Sequence, residues 1–236
     1  MYPMTIEQKT IGIIGGASWE STALYYKLIN ELTREHLGNL NSAKIILYSV
    51  NYDPIVKLEQ EGKWTEVGNQ LGSIAKLLEK AGADFVILCC NTLHKVTSFI
   101  EDAIEIPFLH IADAAGKELT NNKIHRVGLL GTQFTMEDGF YASRLIDKFG
   151  LEVVTPSLSD RQCIDNIIYK ELCQGKTFSQ SKNKLINITN TLQKNKVEAI
   201  LLACTELGML IKTEDTNVPI LDTTILHAKE AFQMSI

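Results

Sequence analysis

The chain has 236 residues, of which 45% are hydrophobic, and its formal net charge at pH 7 is -5. This composition can bury a hydrophobic core, so a folded protein of one large or two small domains is expected. The mild acidity and the lack of stretches that mix Lys and Arg with aromatic residues argue against a nucleic-acid partner. No apolar stretch reaches membrane-spanning length and no secretion signal is recognisable, so we expect a cytoplasmic protein without a membrane partner.

The five cysteines are expected to be free thiols. Their odd number, in a chain without a recognisable secretion signal, does not fit a disulfide framework. A metal site is not expected, because Cys89 and Cys90 are adjacent and lack the spacer of structural zinc sites. We expect Cys163 and Cys173 to be buried packing residues. Thiol chemistry remains as the special use of the other cysteines.

The first half of the sequence alternates apolar runs with segments of helical periodicity. Strands are predicted over 9–14, 43–50, 84–90 and 106–111, and helices over 21–32, 67–81, 96–103 and 113–119. Apolar runs of this length are typical of strands covered on both faces, as in a parallel sheet. Gly15 and Gly16 form the first turn. Either the backbone N–H groups of this turn bind an anion, or the two glycines merely allow the chain to turn tightly.

The same order of elements begins again at residue 125. Gly12 corresponds to Gly128, Cys90 to Cys204 and Pro107 to Pro219, with nearly constant offsets of 116, 114 and 112 residues. Strands are predicted to start at 125, 197 and 218, a loop is predicted over 155–161, and helices are predicted over 163–172, 179–196 and 224–232. The fold class is therefore α/β, with two pseudosymmetric Rossmann-like halves, each a small, mostly parallel sheet flanked by helices. The predicted halves are 1–120 and 121–223, with the C-terminal helix 224–236 packing back onto the first.

Polar residues follow the third strand of each half. Cys90, Asn91 and Thr92 follow the first of these strands, and Cys204 and Thr205 follow the second. Open α/β sheets bind ligands at the carboxyl ends of their strands. If a pseudo-twofold axis relates the halves, the two thiols approach one ligand from opposite sides.

Two acid/base groups on opposite faces of one carbon suit racemisation or epimerisation beside a carboxylate. One face loses a proton while the other gains one, which requires one thiolate and one thiol near neutral pH. Helix amino ends directly after each cysteine would favour the thiolate. Asn91, Thr92 and Thr205 would orient the carboxylate and stabilise the charge that develops on it.

Two neighbours of Cys90 are expected to have structural roles. Strand alternation turns Cys89 to the opposite face from Cys90, so we expect it to be a packing residue. We expect His94 to be a surface or capping residue rather than a catalytic base.

Taken together, these motifs resemble the aspartate/glutamate racemase superfamily of cofactor-independent amino-acid racemases. The resemblance spans nearly the whole chain and is carried by residues 14–22, 90–92, 128–132, 204–206 and 222–228. It is closest to the aspartate racemase branch, which includes broad-specificity amino-acid racemases. It implies an active site in the cleft between the halves, catalysis without pyridoxal phosphate or metal, a small amino acid as substrate, and a homodimer.

The resemblance also assigns roles to individual residues. Cys90 and Cys204 would be the catalytic proton carriers. The positions expected to hold the α-carboxylate and α-amino groups of the substrate are Asn91, Thr92, Thr132 and Thr205, with Ser18 in the first glycine loop as a further candidate. Some relatives have threonine where Cys90 stands, so this chain is expected to transfer protons in both directions.

The sequence leaves three hypotheses about the activity and its substrate. The first is racemisation of aspartate or glutamate. The second is the same reaction on uncharged amino acids such as homoserine or methionine, because the arginine that aspartate-specific relatives carry after the second strand is absent between 43 and 63, where only Lys57 occurs. Cys173 also stands roughly where many relatives have a lysine. The third is a binding protein that closes on a small acid without chemistry.

Overall fold

The computed structural model describes residues 7–236, which contain eight β-strands and ten α-helices. The strands are β1 (Ile11–Gly15), β2 (Ile45–Ser49), β3 (Phe85–Leu88), β4 (Phe108–Leu109), β5 (Arg126–Gly131), β6 (Glu152–Val154), β7 (Ala199–Ala203) and β8 (Ile220–Asp222). The helices are α1 (Trp19–Leu37), α2 (Tyr52–Gln60), α3 (Trp64–Lys80), α4 (Thr97–Glu101), α5 (Ile111–Asn121), α6 (Gln133–Glu137), α7 (Phe140–Phe149), α8 (Leu158–Lys170), α9 (Ser179–Lys194) and α10 (Thr223–Ser235). None of these helices is long and apolar enough to span a lipid bilayer.

The strands form two parallel four-stranded sheets with the same topology. Their orders are β2-β1-β3-β4 and β6-β5-β7-β8. Gly12 pairs with Val86 in one sheet, and Gly128 pairs with Ile200 in the other. The sequence repeat is therefore a structural repeat, and the predicted α/β fold with two parallel sheets is confirmed. The four central strands are almost fully buried, which explains their continuous apolar sequences.

Two compact units make up the chain. The first consists of the described residues up to Cys89 together with Val96–His110 and His227–Ile236, and the second consists of Cys90–Lys95 and Ile111–Leu226. The division differs from the sequence-based boundary after residue 120, because α5 packs on α7 within the second unit. The short segment 90–95, which follows β3, also belongs to the second unit.

Each unit has its own core. In the first unit, Ala228 and Ala231 of α10 join a buried cluster with Ile11, Tyr25 and Phe85. In the second unit, one face of the sheet packs on a cluster drawn from α5 and α7, and the other on a cluster drawn from α8 and α9. The helices therefore cover both faces of the second sheet, as a parallel sheet requires.

The corresponding glycines Gly12 and Gly128 allow close packing beside the central strands. A Cβ atom added to Gly12 would lie 2.9 Å from the Cβ of Ala83, and one added to Gly128 would lie 2.8 Å from Cδ1 of Ile200. Real Cβ atoms do not approach other carbons so closely, so a side chain here would push its neighbour aside. The two glycines thus have equivalent structural roles in the repeat.

The sequence-based prediction missed α2, α6, α7 and β6. Pro54 was interpreted as the end of an extended run, but it lies in the first turn of α2, where a proline needs no N–H partner. The predicted loop 155–161 contains the start of α8, because the Ser157 side chain accepts a hydrogen bond from the Asp160 N–H and caps the helix. The predicted helix 96–103 is shorter than expected and follows a 3-10 helix at Thr92–Val96.

Glu59 is an unusual buried acid in α2. Its side chain is 1% exposed, and neither carboxyl oxygen has a hydrogen-bond partner within residues 7–236. Burial raises the pKa of Glu59 to about 8. A carboxyl in this setting favours the protonated form, because the charged form would lack both water and a counterion.

We predict that Glu59 makes the stability of the protein depend on pH. The pKa is raised on folding, so its contribution to stability is present at low pH and is lost as pH rises from about 4.5 to about 8. The free energy of unfolding should fall across this window with a slope of up to about 1.4 kcal/mol per pH unit from this one group. Glu59→Gln should remove this slope in urea unfolding measured from pH 5 to 8, whereas the exposed Glu66→Gln control should retain it. A slope unchanged in Glu59→Gln would contradict the assignment.

Candidate active site

The residues after β7 form a buried hydrogen-bonded group. The Cys204 thiol donates to Oε2 of Glu206 at 3.1 Å, and the Thr205 hydroxyl donates to the same oxygen at 2.8 Å. All three side chains are buried. A carboxylate that accepts from a thiol and a hydroxyl together holds both protons in place.

The surroundings of Cys204 favour its protonated form. Burial raises the pKa of the Cys204 thiol well above its ordinary value, and the negative charge of Glu206 raises it further. The expectation that a helix amino end would favour a thiolate here is wrong. The residues that follow are a 3-10 helix of only three residues, Leu207–Met209, and the acid beside the thiol opposes ionisation.

Cys90 is also buried, and His94 fixes its backbone. Nδ1 of His94 lies 2.6 Å from the Cys90 carbonyl oxygen, and Nε2 accepts a hydrogen bond from the Ile111 N–H at 3.1 Å. A backbone N–H can only donate, so Nε2 carries no proton and the neutral ring donates from Nδ1. His94 is therefore a buried bridge from the Cys90 backbone to the start of α5. The prediction of a surface or capping residue is wrong about the surface, because the His94 side chain is buried, but the capping role agrees with the contact between Nε2 and the first N–H of α5.

Three threonine hydroxyls meet beside this segment. Thr92 Oγ1 lies 2.9 Å from Thr132 Oγ1, and Thr132 Oγ1 lies 3.1 Å from Thr135 Oγ1. Thr132 also caps α6, since its side chain accepts from the Thr135 N–H. Each hydroxyl can both donate and accept, so the cluster can turn donors toward an anionic group. The structure thus brings together Thr92 and Thr132, which are far apart in sequence.

Asn91 contacts another threonine. Its Nδ2 group donates to Thr223 Oγ1 at 3.0 Å, and its Oδ1 atom is buried without a hydrogen-bond partner in the described part of the chain. The amide nitrogen of Asn91 thus has a hydrogen-bond partner, whereas the amide oxygen can accept a hydrogen bond from a ligand.

Ser18 lies in the first unit, whereas the other six predicted site residues lie in the second. Its side chain caps α1 by accepting from the Ser21 N–H, and its backbone oxygen accepts from the Ser21 and Thr22 hydroxyls. The glycine turn beside it is held from within, because the Gly16 N–H donates to the Thr22 hydroxyl at 2.8 Å. Gly16 has a φ of 96°, which favours glycine. These contacts support the turn-forming interpretation over an anion site.

The remaining cysteines pack against the cores. Cys89 is fully buried in the first unit's cluster, as expected for a packing residue. Cys163 and Cys173 are only half-buried and lie against the edge of the cluster that contains Cys204. The prediction that both are packing residues agrees with these contacts, but they are less buried than expected because they lie at the edge of the cluster.

Sequence reasoning did not assign Glu206, Thr135 or Thr223 to the site. Glu206 follows Thr205 directly, and its acidic side chain so close to Cys204 was an available signal. Thr223 lies in the 222–228 motif, but nothing in its local sequence shows that its hydroxyl contacts Asn91, 132 residues away. The contact between Asn91 and Thr223 is visible only in the folded structure, where distant parts of the second unit lie side by side.

Comparison with known proteins agrees with this architecture. Residues 14–231 match the family described as Asp/Glu/Hydantoin racemase. The broad-specificity amino-acid racemase RacX of Bacillus subtilis is 24% identical over 93% of this chain and 95% of its own length. A proposed Asp/Glu racemase from Yersinia pestis superposes with a TM-score of 0.90 at 43% identity, over 96% of this chain and 98% of that one. An aspartate racemase homologue from Pyrococcus horikoshii superposes with a TM-score of 0.82 at 32% identity, over 96% and 98% of the two chains.

The family match over residues 14–231 defines this α/β protein as an enzyme of the racemase class, and racemases are isomerases. The chain belongs to the Asp/Glu/Hydantoin racemase family. This membership supports amino-acid racemase activity, so the alternative of a binding protein without chemistry is not retained.

We predict that His94→Ala destabilises the protein. The substitution leaves the Cys90 carbonyl and the Ile111 N–H buried without their partner, which costs about 2–4 kcal/mol in the free energy of unfolding. Urea unfolding checks this, with the exposed His125→Ala as a matched control expected to change stability by less than about 0.5 kcal/mol. Equal effects of the two substitutions would refute the bridging role.

Proposed function

We propose that the protein interconverts the L and D enantiomers of aspartate or glutamate by proton transfer at the α-carbon. Cys90 and Cys204 are the two proton carriers, and no cofactor takes part. The observation that carries the proposal is the equivalent position of the two cysteines. Each is buried just after a central strand, β3 or β7, in sheets of identical strand order. Family membership supports racemisation, and two thiols are able to take up and release one proton each.

In this mechanism Cys204 starts as the thiol and Cys90 as the thiolate. The Cys90 thiolate removes the α-proton from one face of the substrate, and Cys204 delivers its own proton to the other face. The electron pair released at the α-carbon is delocalised into the carboxylate until the new C–H bond forms. The reverse reaction starts with the two protonation states exchanged. The hydrogen bond from Cys204 to Glu206 supports this assignment, because it holds the proton on the donor.

Neutral polar groups would hold the substrate. The hydroxyls of Thr92, Thr132 and Thr205 and the amide of Asn91 lie close to the two cysteines in sequence or in contact with each other. The Thr92 and Thr132 hydroxyls can donate to the carboxylate and stabilise the charge that develops on it during proton removal. The Thr205 proton is bonded to Glu206 and Asn91 presents its oxygen, so these two groups would accept from the amino group. These groups need no change in their own charge to do this.

Uncharged amino acids are the second candidate substrates. The charge interactions of Cys204 come from Glu206 and Cys173, neither of which would attract an acidic side chain. The buried cluster that contains Cys204 is apolar, with residues such as Ile164, Leu172 and Leu207. A substrate side chain placed against this cluster would gain from being apolar.

Proton NMR in D₂O with a panel of L-amino acids tests the activity and identifies the substrate. The panel includes aspartate, glutamate, methionine and homoserine, without added cofactor. Two-base transfer predicts that the D product carries solvent deuterium while the remaining L substrate keeps its α-proton, since each thiol holds a single proton. Exchange in the L substrate without formation of the D enantiomer would contradict the two-cysteine mechanism. The absence of exchange with every amino acid would refute the proposed function.

Single substitutions test the two proton carriers. Cys90→Ser and Cys204→Ser should each reduce kcat by about a hundredfold to ten-thousandfold, because a serine hydroxyl is a far weaker acid than a thiol and does not form the conjugate base at neutral pH. Cys163→Ser is the matched control and should retain full activity, since this half-buried cysteine lies at the edge of the second unit's core. A loss of activity in the control comparable with the other two would contradict the assignment.

Glu206→Gln tests the protonation state of Cys204. The glutamine keeps the shape of the side chain but removes the charge that raises the pKa of the thiol, so the pKa of Cys204 should fall. A thiolate absorbs ultraviolet light near 240 nm, so this ionisation can be followed by a pH titration. Subtracting the absorbance of the Cys90→Ser/Cys204→Ser protein from that of the Cys90→Ser protein gives the signal of Cys204 alone. When Glu206→Gln is added to both proteins, the Cys204 thiolate should appear at lower pH. An unchanged titration would show that burial alone holds the proton.

A further inference from the structure

Two hydrogen bonds fix which end of the Asn91 amide faces away from Thr223. Thr223 Oγ1 lies 2.8 Å from the Leu202 carbonyl oxygen and 3.0 Å from Nδ2 of Asn91. Thr223 is fully buried, and Asn91 is almost fully buried. All three residues belong to the second unit.

The direction of each bond follows from counting protons. A carbonyl oxygen has no proton, so the single hydroxyl proton of Thr223 must lie between Oγ1 and the Leu202 oxygen. Thr223 can then only accept from Asn91, and only the NH₂ end of the amide can donate to it. An Asn91 amide rotated by 180° would place two oxygen lone pairs against each other. Leu202 belongs to the central strand β7, so this proton direction is anchored in the sheet.

The oxygen end of the Asn91 amide faces away from Thr223. Asn91 Oδ1 is buried and has no hydrogen-bond partner within residues 7–236. A buried acceptor without a partner is costly, so this atom is ready to receive a donor. A carboxylate offers no donor, whereas an ammonium group offers three.

We infer that Thr223 is a positioning residue which, through Asn91, selects ligands that carry an α-ammonium group. By accepting from the Asn91 NH₂ group, Thr223 turns the amide oxygen toward the ligand, where it accepts from the ammonium. This inference rests on the proposed function, and it specifies that Oδ1 of Asn91 binds the amino group of the substrate. Without the Thr223 hydroxyl the amide is free to rotate, and its oxygen is no longer held toward the ligand.

Calorimetric binding of matched ligand pairs tests this inference. The pairs are L-aspartate with succinate, L-glutamate with glutarate, and L-methionine with 4-(methylsulfanyl)butanoate, which differ by the α-ammonium. Racemisation releases almost no heat, so the intact protein can be titrated. Thr223→Val, which keeps the shape but lacks the hydroxyl, should weaken amino-acid binding about tenfold and leave the desamino acid unchanged. Thr223→Ser, which keeps the hydroxyl, should bind both within about twofold of the parent protein.

A double-substitution cycle separates positioning from a merely structural effect. In an Asn91→Ala background, Thr223→Val should cause no further loss of amino-acid binding, because the amide it orients is gone. If Thr223→Val does not fold, as judged by circular dichroism, Thr223→Ala takes its place in the same comparison. An additive loss, or equal effects on both members of a pair, would overturn the inference, as would a parent protein that binds both members equally.

The outcome is independent of the test of catalysis. Selective binding of amino acids that depends on Thr223, together with no proton exchange in D₂O, would refute the proposed function and uphold the inference. Proton exchange that is unaffected by Thr223→Val, with unchanged ligand selectivity, would uphold the proposed function and refute the inference.

Discussion

Every part of the candidate site depends on the backbone pairing of central parallel strands. A strand buried on both faces must have its N–H and C=O groups bonded by neighbouring strands, since water cannot reach them. At the end of such a strand this pairing stops, and the next backbone groups need other partners. The Cys90 carbonyl obtains one from His94, and the Leu202 carbonyl obtains one from Thr223. These backbone contacts fix the positions of the His94 and Thr223 side chains.

Burial and charge act in the same direction at Cys204. A thiol is a weak acid, and removing it from water disfavours its thiolate further. Glu206 adds a negative charge, which raises the pKa of Cys204 further. Loss of water contact raises the pKa of the partly buried Asp222, and the charge of Glu206 adds to this effect. Asp222 lies so close to Gly208 that any side chain there would overlap its carboxyl group. Burial and the Glu206 carboxylate together favour the protonated form of the Cys204 thiol.

The threonine and asparagine side chains of the site are neutral, and the fold restricts the directions of their hydrogen bonds. The Thr92, Thr132 and Thr135 hydroxyls share protons with one another, so they can reorient toward a ligand at little cost. Asn91 differs, because Thr223 leaves its amide only one orientation. A site with both kinds of group has an adaptable surface for a carboxylate and a fixed acceptor for a donor. This combination is well suited to a molecule that carries one of each on the same carbon.

The strand and helix pattern of the sequence was sufficient for the overall architecture but not for every element. Buried parallel strands are continuous apolar runs, so β1, β3, β5 and β7 were recognised from composition alone. Their repeat at a nearly constant offset predicted the second sheet. The helix α2 was missed because a proline in a first turn looks like a break, and α6 and β6 are too short for a periodic pattern to stand out. The helix α7 has a clear amphipathic pattern over ten residues, so the sequence contained a signal for it that was overlooked.

The sequence by itself determined that two cysteines follow equivalent buried strands, because this depends only on local apolar runs and their spacing. Only the tertiary structure decided that His94 is a backbone bridge, that Glu206 keeps the proton on Cys204, and that Thr223 orients Asn91. A hydrogen bond depends on distance and direction in space. Residues 91 and 223 are brought together by the packing of the whole second unit, and no local pattern encodes that contact.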